Sequence, residues 1–193
     1  MIKTDVKNDQ YFTKESVAQQ CVNSISDIIE NCDIIIEPSA GSGNILKYLP
    51  FEKRIGLDID PSRSDIIECD FLKWQLDNSY SDKTICFVGN PPFGKNSSLA
   101  VKFFNHAAKY ADYICFIVPR TFRKESIINR LSKQFHLLQE MRLDKESFVL
   151  SDSTEYSVSC TFQVWEKRAN PRTCFNRLKT TDYWQWVKKE DNP

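Results

Sequence analysis

Glycine and histidine are scarce in this chain, with five glycines and two histidines among 193 residues. So few glycines exclude a flexible Gly-rich linker, and each is expected to mark a turn or a close approach of backbone. His106 and His136 stand far apart, and the seven cysteines are never closer than eleven residues, so no metal-ligand cluster is spelled out and no metal is expected. Most of Cys21, Cys32, Cys69, Cys86, Cys115, Cys160 and Cys174 sit in apolar runs, which suits reduced core residues of a cytoplasmic protein. No run of ~18 apolar residues occurs, so no transmembrane helix is expected. Met1-Ile2-Lys3-Thr4-Asp5 likewise lacks the apolar core of a signal peptide. An excess of charge of one sign is missing too, 26 basic residues balancing 26 acidic ones. That neutrality is an average. Lys95–Lys133 carries eight basic and two acidic residues, Lys167–Lys189 seven and one, and together they sum to +12. These two segments are therefore suited to a polyanion.

What is present is a folded domain with a 41% apolar fraction. Val17, Ala18, Cys21, Val22, Ile25, Ile28 and Ile29 keep a helical period, and Thr13 is placed to cap that helix. Strands are predicted at 33–36, 54–61, 66–69, 84–88, 113–119, 136–143 and 159–165, with a short helix after Gly43 ending at Pro50 and helices at 97–110 and on to about 133. Strands alternating with helices predict an α/β sandwich, mostly parallel, with helices on both faces. The boundaries expected are 1–167 for the main domain and 168–193 for a basic and aromatic tail packed on it.

Chemistry concentrates at the ends of three strands. Glu37-Pro38-Ser39-Ala40-Gly41-Ser42-Gly43 follows the first sheet strand, where Gly41 and Gly43 would let a ligand approach the backbone. The G-x-G-x-x-G spacing of a pyrophosphate site is absent, and Glu37 would instead meet a cation such as a sulfonium amino acid. Asp58 and Asp60 lie at the tip of the next strand, where a carboxylate is placed to accept from vicinal ribose hydroxyls. Asn90-Pro91-Pro92-Phe93 follows an apolar strand directly. Two prolines fix the direction of the preceding carbonyls. An amide oxygen and a fixed carbonyl can accept both hydrogens of a planar –NH2 while Phe93 stacks on its ring. Such acceptors draw the nitrogen toward tetrahedral geometry and free its lone pair for attack.

From about Asp9 to Glu166 these motifs resemble, in order and spacing, the S-adenosylmethionine-dependent amino-methyltransferases, chiefly the N6-adenine enzymes that carry Asn-Pro-Pro-Phe as catalytic motif. The resemblance implies a class I methyltransferase Rossmann-like sandwich, with a mostly parallel seven-stranded sheet and an antiparallel edge strand. It implies S-adenosylmethionine as cofactor, held by Glu37, Ser39, Gly41, Gly43, Asp58, Asp70 and Phe71. In that family an aromatic-threonine segment lies against the methionine end, and Tyr11-Phe12-Thr13 is similar to it. It implies a nucleic-acid substrate, DNA or RNA, read as a flipped or single-stranded base. Arg120, Arg123 and Lys124 would meet phosphates, and Phe148 would be a second wall for the base or a loop anchor. About 26 residues follow the last predicted strand, fewer than a large recognition region needs, which leaves structured RNA, relaxed DNA specificity or a separate recognition subunit. A protein glutamine amide, guanine N2, or a non-catalytic cofactor-binding subunit are the alternatives. In the tail, Arg172, Phe175, Arg177, Lys179, Tyr183, Trp184, Trp186, Lys188 and Lys189 suit single-stranded nucleic acid or a packed C-terminal helix.

Overall fold

A computed structural model describes residues 11–149, 154–175, 180–181 and 184–185. In chain order they form β1 (Phe12–Thr13), α1 (Glu15–Asn23), α2 (Ser26–Asn31), β2 (Ile34–Glu37), β3 (Arg54–Asp58), β4 (Ile66–Glu68), β5 (Ile85–Gly89), α3 (Ser98–Ala107), β6 (Tyr113–Pro119), α4 (Glu125–Ile128) and β7 (Phe135–Arg142). Then come β8 (Phe148–Val149), β9 (Glu155–Tyr156), β10 (Cys160–Lys167), β11 (Thr180–Thr181) and β12 (Trp184–Gln185). Seven strands make one sheet in the order β4-β3-β2-β5-β6-β10-β7. β4, β3, β2, β5 and β6 are parallel neighbours, while β10 runs antiparallel to both β6 and β7. The last two strands of the sheet therefore pair antiparallel at one edge, as expected, with β7 outermost and β10 one place in.

The sheet is buried on both faces because its strands are continuous runs of apolar residues, whose side chains alternate. Ile35, Cys86, Val88, Cys115, Ile117, Phe162 and Val164 face the layer of α1 and α2, with Ala18, Cys21, Val22 and Ile29. Ile34, Ile36, Phe87, Ile114, Phe116 and Val118 face α3, with Ala100, Val101, Phe104 and Ala107. Gly56 lets β3 pass beneath Leu46, since a Cβ there would stand 2.7 Å from the leucine Cδ2.

Several predicted elements are shorter in the structure. The first helix breaks at Ser24–Ile25 into α1 and α2, and Lys14, not Thr13, is its N-cap. The glycine string leads into a single 3-10 turn at Leu46–Tyr48. The helix expected up to about 133 is only the one turn of α4. Residues 180–181 and 184–185 are paired strands, which excludes a helix through them. The expectations for residues 1–10, Arg177, Lys179, Tyr183, Trp186, Lys188, Lys189 and the Trp184 side chain lie outside what is described. At the start of the tail, Arg168 N–H donates to Gln134 O and Arg172 N–H to Lys133 O, each at 2.8 Å, tying it to the body.

The chain moves outward from β2 to β3 and β4, then returns to place β5 on the other side of β2. A crevice opens at such a reversal because the connections leave in opposite directions. Glu37, Asp58 and Gly89 end their parallel strands at that edge.

Candidate active site

At the carboxyl ends of β2, β3, β4 and β5 lies a cavity of about 730 Å³. Its walls include Tyr11, Phe12, Thr13, Glu37, Ser39, Gly41, Asp58, Asp70, Phe71, Asn90 and Pro92. Segments widely separated in sequence are thus gathered around one space, within the ~300–1,000 Å³ that a small-molecule ligand occupies.

Gly41 has φ +52°, and a Cβ on it would meet the Phe12 ring at 3.3 Å. The Asp58 carboxylate holds this loop, its Oδ2 accepting from Gly41 N–H at 2.7 Å and its Oδ1 from Asp60 N–H at 2.9 Å. Asp58 thus ties the glycine loop to the end of β3, and each oxygen keeps a second lone pair. Asp70 Oδ1 accepts from Leu72 N–H at 3.0 Å, and its Oδ2 pairs with Lys73 at 3.2 Å. Phe71 lines the cavity at 2% exposure and is braced by Phe87, Phe103 and His106 at 4.8–5.7 Å between ring centroids.

Two buried acceptors lack a partner here. One is Oε2 of Glu37, a residue only 2% exposed. Burial pushes the Glu37 pKa well above the usual carboxylate range; the Leu46 N–H, which the carboxyl accepts, opposes this, and the nearby Asp58 adds to it. The other is Oδ1 of Asn90. Asn90 is otherwise fixed: its backbone carbonyl accepts from Ser39 Oγ and its Nδ2 donates to Thr13 Oγ1, both at 3.2 Å. A buried acceptor without a donor is costly, about 1–3 kcal/mol, and such groups in a cavity wall mark where a donor or cation belongs.

Several predicted residues stand elsewhere. Gly43 is outside the cavity; its φ of +76° and the Arg63 guanidinium, 2.9 Å from where a Cβ would be, require glycine there. Pro91 and Phe93 are buried and outside the lining, so Phe93 does not offer its face to a ligand. Its ring packs on Tyr11 at 5.7 Å, and Tyr11 does reach the cavity. Phe148 is fully buried, pairs across β1–β8 with Thr13 and meets Tyr11 edge-on at 6.4 Å. It anchors the loop and walls nothing. Arg120, Arg123 and Lys124 follow β6 at the same end of the sheet, exposed and outside the cavity, with Arg123 paired to Glu140 at 3.3 Å. The basic segment 95–133 does not form one face. Lys109, Arg130 and Lys133 border a shallow hollow beside the starts of β6 and β7, at the opposite end of the sheet.

Sequence reasoning missed Asn44, whose Nδ2 holds the Thr13 carbonyl at 2.8 Å, and Ser62, whose Oγ donates to Gly41 O at 3.1 Å. Neither carries a local signal. It also missed the left-handed backbone of Asn96 and Ser97, which with Gly94 turns the chain sharply from the Pro-Pro motif into α3. Among the described residues no His, Cys, Asp and Glu cluster could hold a metal, and no helix is long and apolar enough to cross a membrane.

Sheet order, the antiparallel β10 and the crevice at β2/β5 define the class I methyltransferase fold. Solved structures that share it include a candidate RNA methyltransferase of Pyrococcus horikoshii (TM-score 0.61, 13% identity, 82% of this chain and 88% of that one). A candidate class I S-adenosylmethionine-dependent methyltransferase of Listeria monocytogenes aligns with TM-score 0.63 at 13% identity, over 88% of this chain and 66% of that one. The 23S rRNA methyltransferase ErmE aligns with TM-score 0.58 at 15% identity, over 84% and 71%. Among curated proteins, ribosomal RNA small subunit methyltransferase A of Flavobacterium johnsoniae is 27% identical over 108 residues, 48% of this chain. The match spans 41% of that relative's length. No family model matches the chain.

Proposed function

We propose that this protein transfers the methyl group of S-adenosylmethionine to an exocyclic amine, with N6 of adenine in nucleic acid as the preferred target. The observation that carries the reading is the unpaired, buried Asn90 Oδ1 in the wall of the cavity that also holds Glu37. An acceptor fixed there suits an –NH2 donor, and an unpaired carboxyl suits a cationic ligand.

The residues fit the cofactor. Glu37 would meet its ammonium group, the free lone pairs of Asp58 its ribose hydroxyls, and Asp70 its adenine amino group beside Phe71. When bound, S-adenosylmethionine supplies an electrophilic methyl on a positively charged sulfur. Asn90 Oδ1 accepts a hydrogen of the target amine, draws its nitrogen out of conjugation and stabilises positive charge as it develops. Tyr11 offers the aromatic surface on that side of the cavity. Holding amine and methyl in line supplies much of the rate, and no covalent enzyme intermediate is needed. A paired base cannot reach a crevice of this kind, so the target is flipped or single-stranded. The names of the relatives, several of them RNA methyltransferases, and the basic surface beyond β6 favour nucleic acid over a protein amide.

The test is transfer of labelled methyl to total RNA, single- and double-stranded DNA and protein extract, followed by nucleoside and amino-acid analysis. N6-methyladenine in a nucleic-acid fraction is expected. Asn90→Ala should abolish it while leaving cofactor affinity within about twofold, because Asn90 touches the target alone. Label confined to glutamine would overturn the substrate assignment, and full activity in Asn90→Ala would overturn the site.

A further inference from the structure

We infer that Thr13 is a positioning residue for Asn90, holding in place the side-chain amide that meets the target. This rests on the reading above, that Asn90 receives an amine. The two ends of an Asn amide are nearly the same size but opposite in chemistry, one accepting and the other donating two hydrogens. An amide turned the wrong way would present N–H to N–H, and the target amine would be repelled instead of activated. A hydroxyl can donate as well as accept, so Thr13 holds the amide in place and does not by itself select its end; here its Oγ1 accepts from Asn90 Nδ2 at 3.2 Å. With Nδ2 so engaged, Oδ1 is left as the buried acceptor without a partner.

Both members of the pair are anchored independently of one another. Ser39 Oγ donates to the Asn90 carbonyl at 3.2 Å, which fixes the backbone from which the amide projects. Thr13 is 5% exposed and pairs with the fully buried Phe148 across β1–β8. Its carbonyl accepts from Asn44 Nδ2, and the next residue, Lys14, donates its N–H to Ser147 O at 2.9 Å. The hydroxyl is thus delivered by a strap that β8 and the glycine loop hold in place, 77 positions from the amide it holds. Nothing in helix formation uses it, because Lys14 occupies the N-cap and no side chain caps α1. An acceptor-only surface toward the ligand also sets specificity: it selects an amino group and disfavours a carbonyl at the same ring position.

Thr13→Val keeps the shape and removes the acceptor, whereas Thr13→Ser keeps the acceptor and removes a methyl. Three readouts apply to each: melting temperature, calorimetric affinity for S-adenosylmethionine, and methyl transfer at saturating cofactor. A fourth is the Asn90 side-chain amide resonance in 15N-labelled protein, identified by its loss in Asn90→Asp. Thr13→Val is expected to melt normally and bind cofactor within about twofold, while transfer falls by about tenfold or more, the weight of one hydrogen bond at the reacting group. Its Asn90 amide protons should exchange faster with solvent, and Thr13→Ser should recover both rate and protection. Undiminished transfer and unchanged amide exchange in Thr13→Val would overturn the inference, as would a Thr13→Ser that behaves like Thr13→Val. Absence of transfer by the unaltered protein to any amine would count against the proposed function instead. The amide exchange would then still decide whether Thr13 holds Asn90.

Discussion

Replacing Glu37 with Gln should make the protein more stable and its ligand binding weaker. Glu37 ends β2 at 2% exposure, with Oε2 unpaired and burial holding its pKa well above the usual carboxylate range. A carboxyl whose folded pKa is raised favours folding fully below its unfolded pKa, near 4.5, and loses that contribution as pH rises through the folded value. Above the unfolded pKa, folding must therefore either protonate this carboxyl or bury it ionised and under-solvated, and both oppose folding. An unsatisfied buried group costs about 1–3 kcal/mol, and more when charged. Gln removes the charge and can still accept the Leu46 N–H. A gain of about 1 kcal/mol at pH 8 would raise the melting temperature by roughly 2–4 °C in a domain of this size. The gain should vanish below the unfolded pKa, where the carboxyl is neutral in both states. Affinity for S-adenosylmethionine should move the other way, falling about tenfold or more as the anion facing its ammonium is removed. Binding to the unaltered protein should also release a proton below the raised pKa, read as a dependence of the calorimetric heat on buffer ionisation enthalpy. Paired melting curves at pH 4 and 8 with calorimetry at pH 8 make the assay. A Gln variant that is less stable at pH 8, or that binds the ligand as tightly as before, would contradict this role for Glu37.

Phe148→Ala should cost about 3–5 kcal/mol by chemical denaturation, since the ring is fully buried and supports the strap that carries Thr13; a destabilisation under about 1 kcal/mol would contradict the anchoring role. Replacing Arg120, Arg123 and Lys124 with Ala should flatten the slope of log K against log salt for a single strand by about 0.7 for each phosphate no longer neutralised, without changing cofactor affinity. Arg123, already paired with Glu140, should contribute least of the three, and an unchanged slope in the triple variant would place the nucleic acid elsewhere.

Local runs of residues already specify the sheet and the position of the crevice. Ile34-Ile35-Ile36 and Ile85-Cys86-Phe87-Val88 are strands because β-branched and apolar residues run without a break, and that signal is local. Glu37, Asp58 and Asn90 follow such runs directly, so any parallel sheet brings them to one edge. Burial and partnership were not local. Thr13 reads as a helix cap until Asn90 arrives beside it, and only the fold chooses between two uses of one hydroxyl. Phe93 looks like a stacking surface in sequence and Phe148 like either that or a loop anchor, because an aromatic ring has the same composition against a ligand or against Tyr11. The basic residues of 95–133 form one block along the chain, but α3 and β6 cross the sheet in turn and leave them at opposite ends. Inserting β10 between β6 and β7 likewise depends on which edge a returning strand can reach. Propensity acts between neighbours in sequence, whereas hydrogen-bond partners and solvent exposure are set by segments that meet only when the chain has folded.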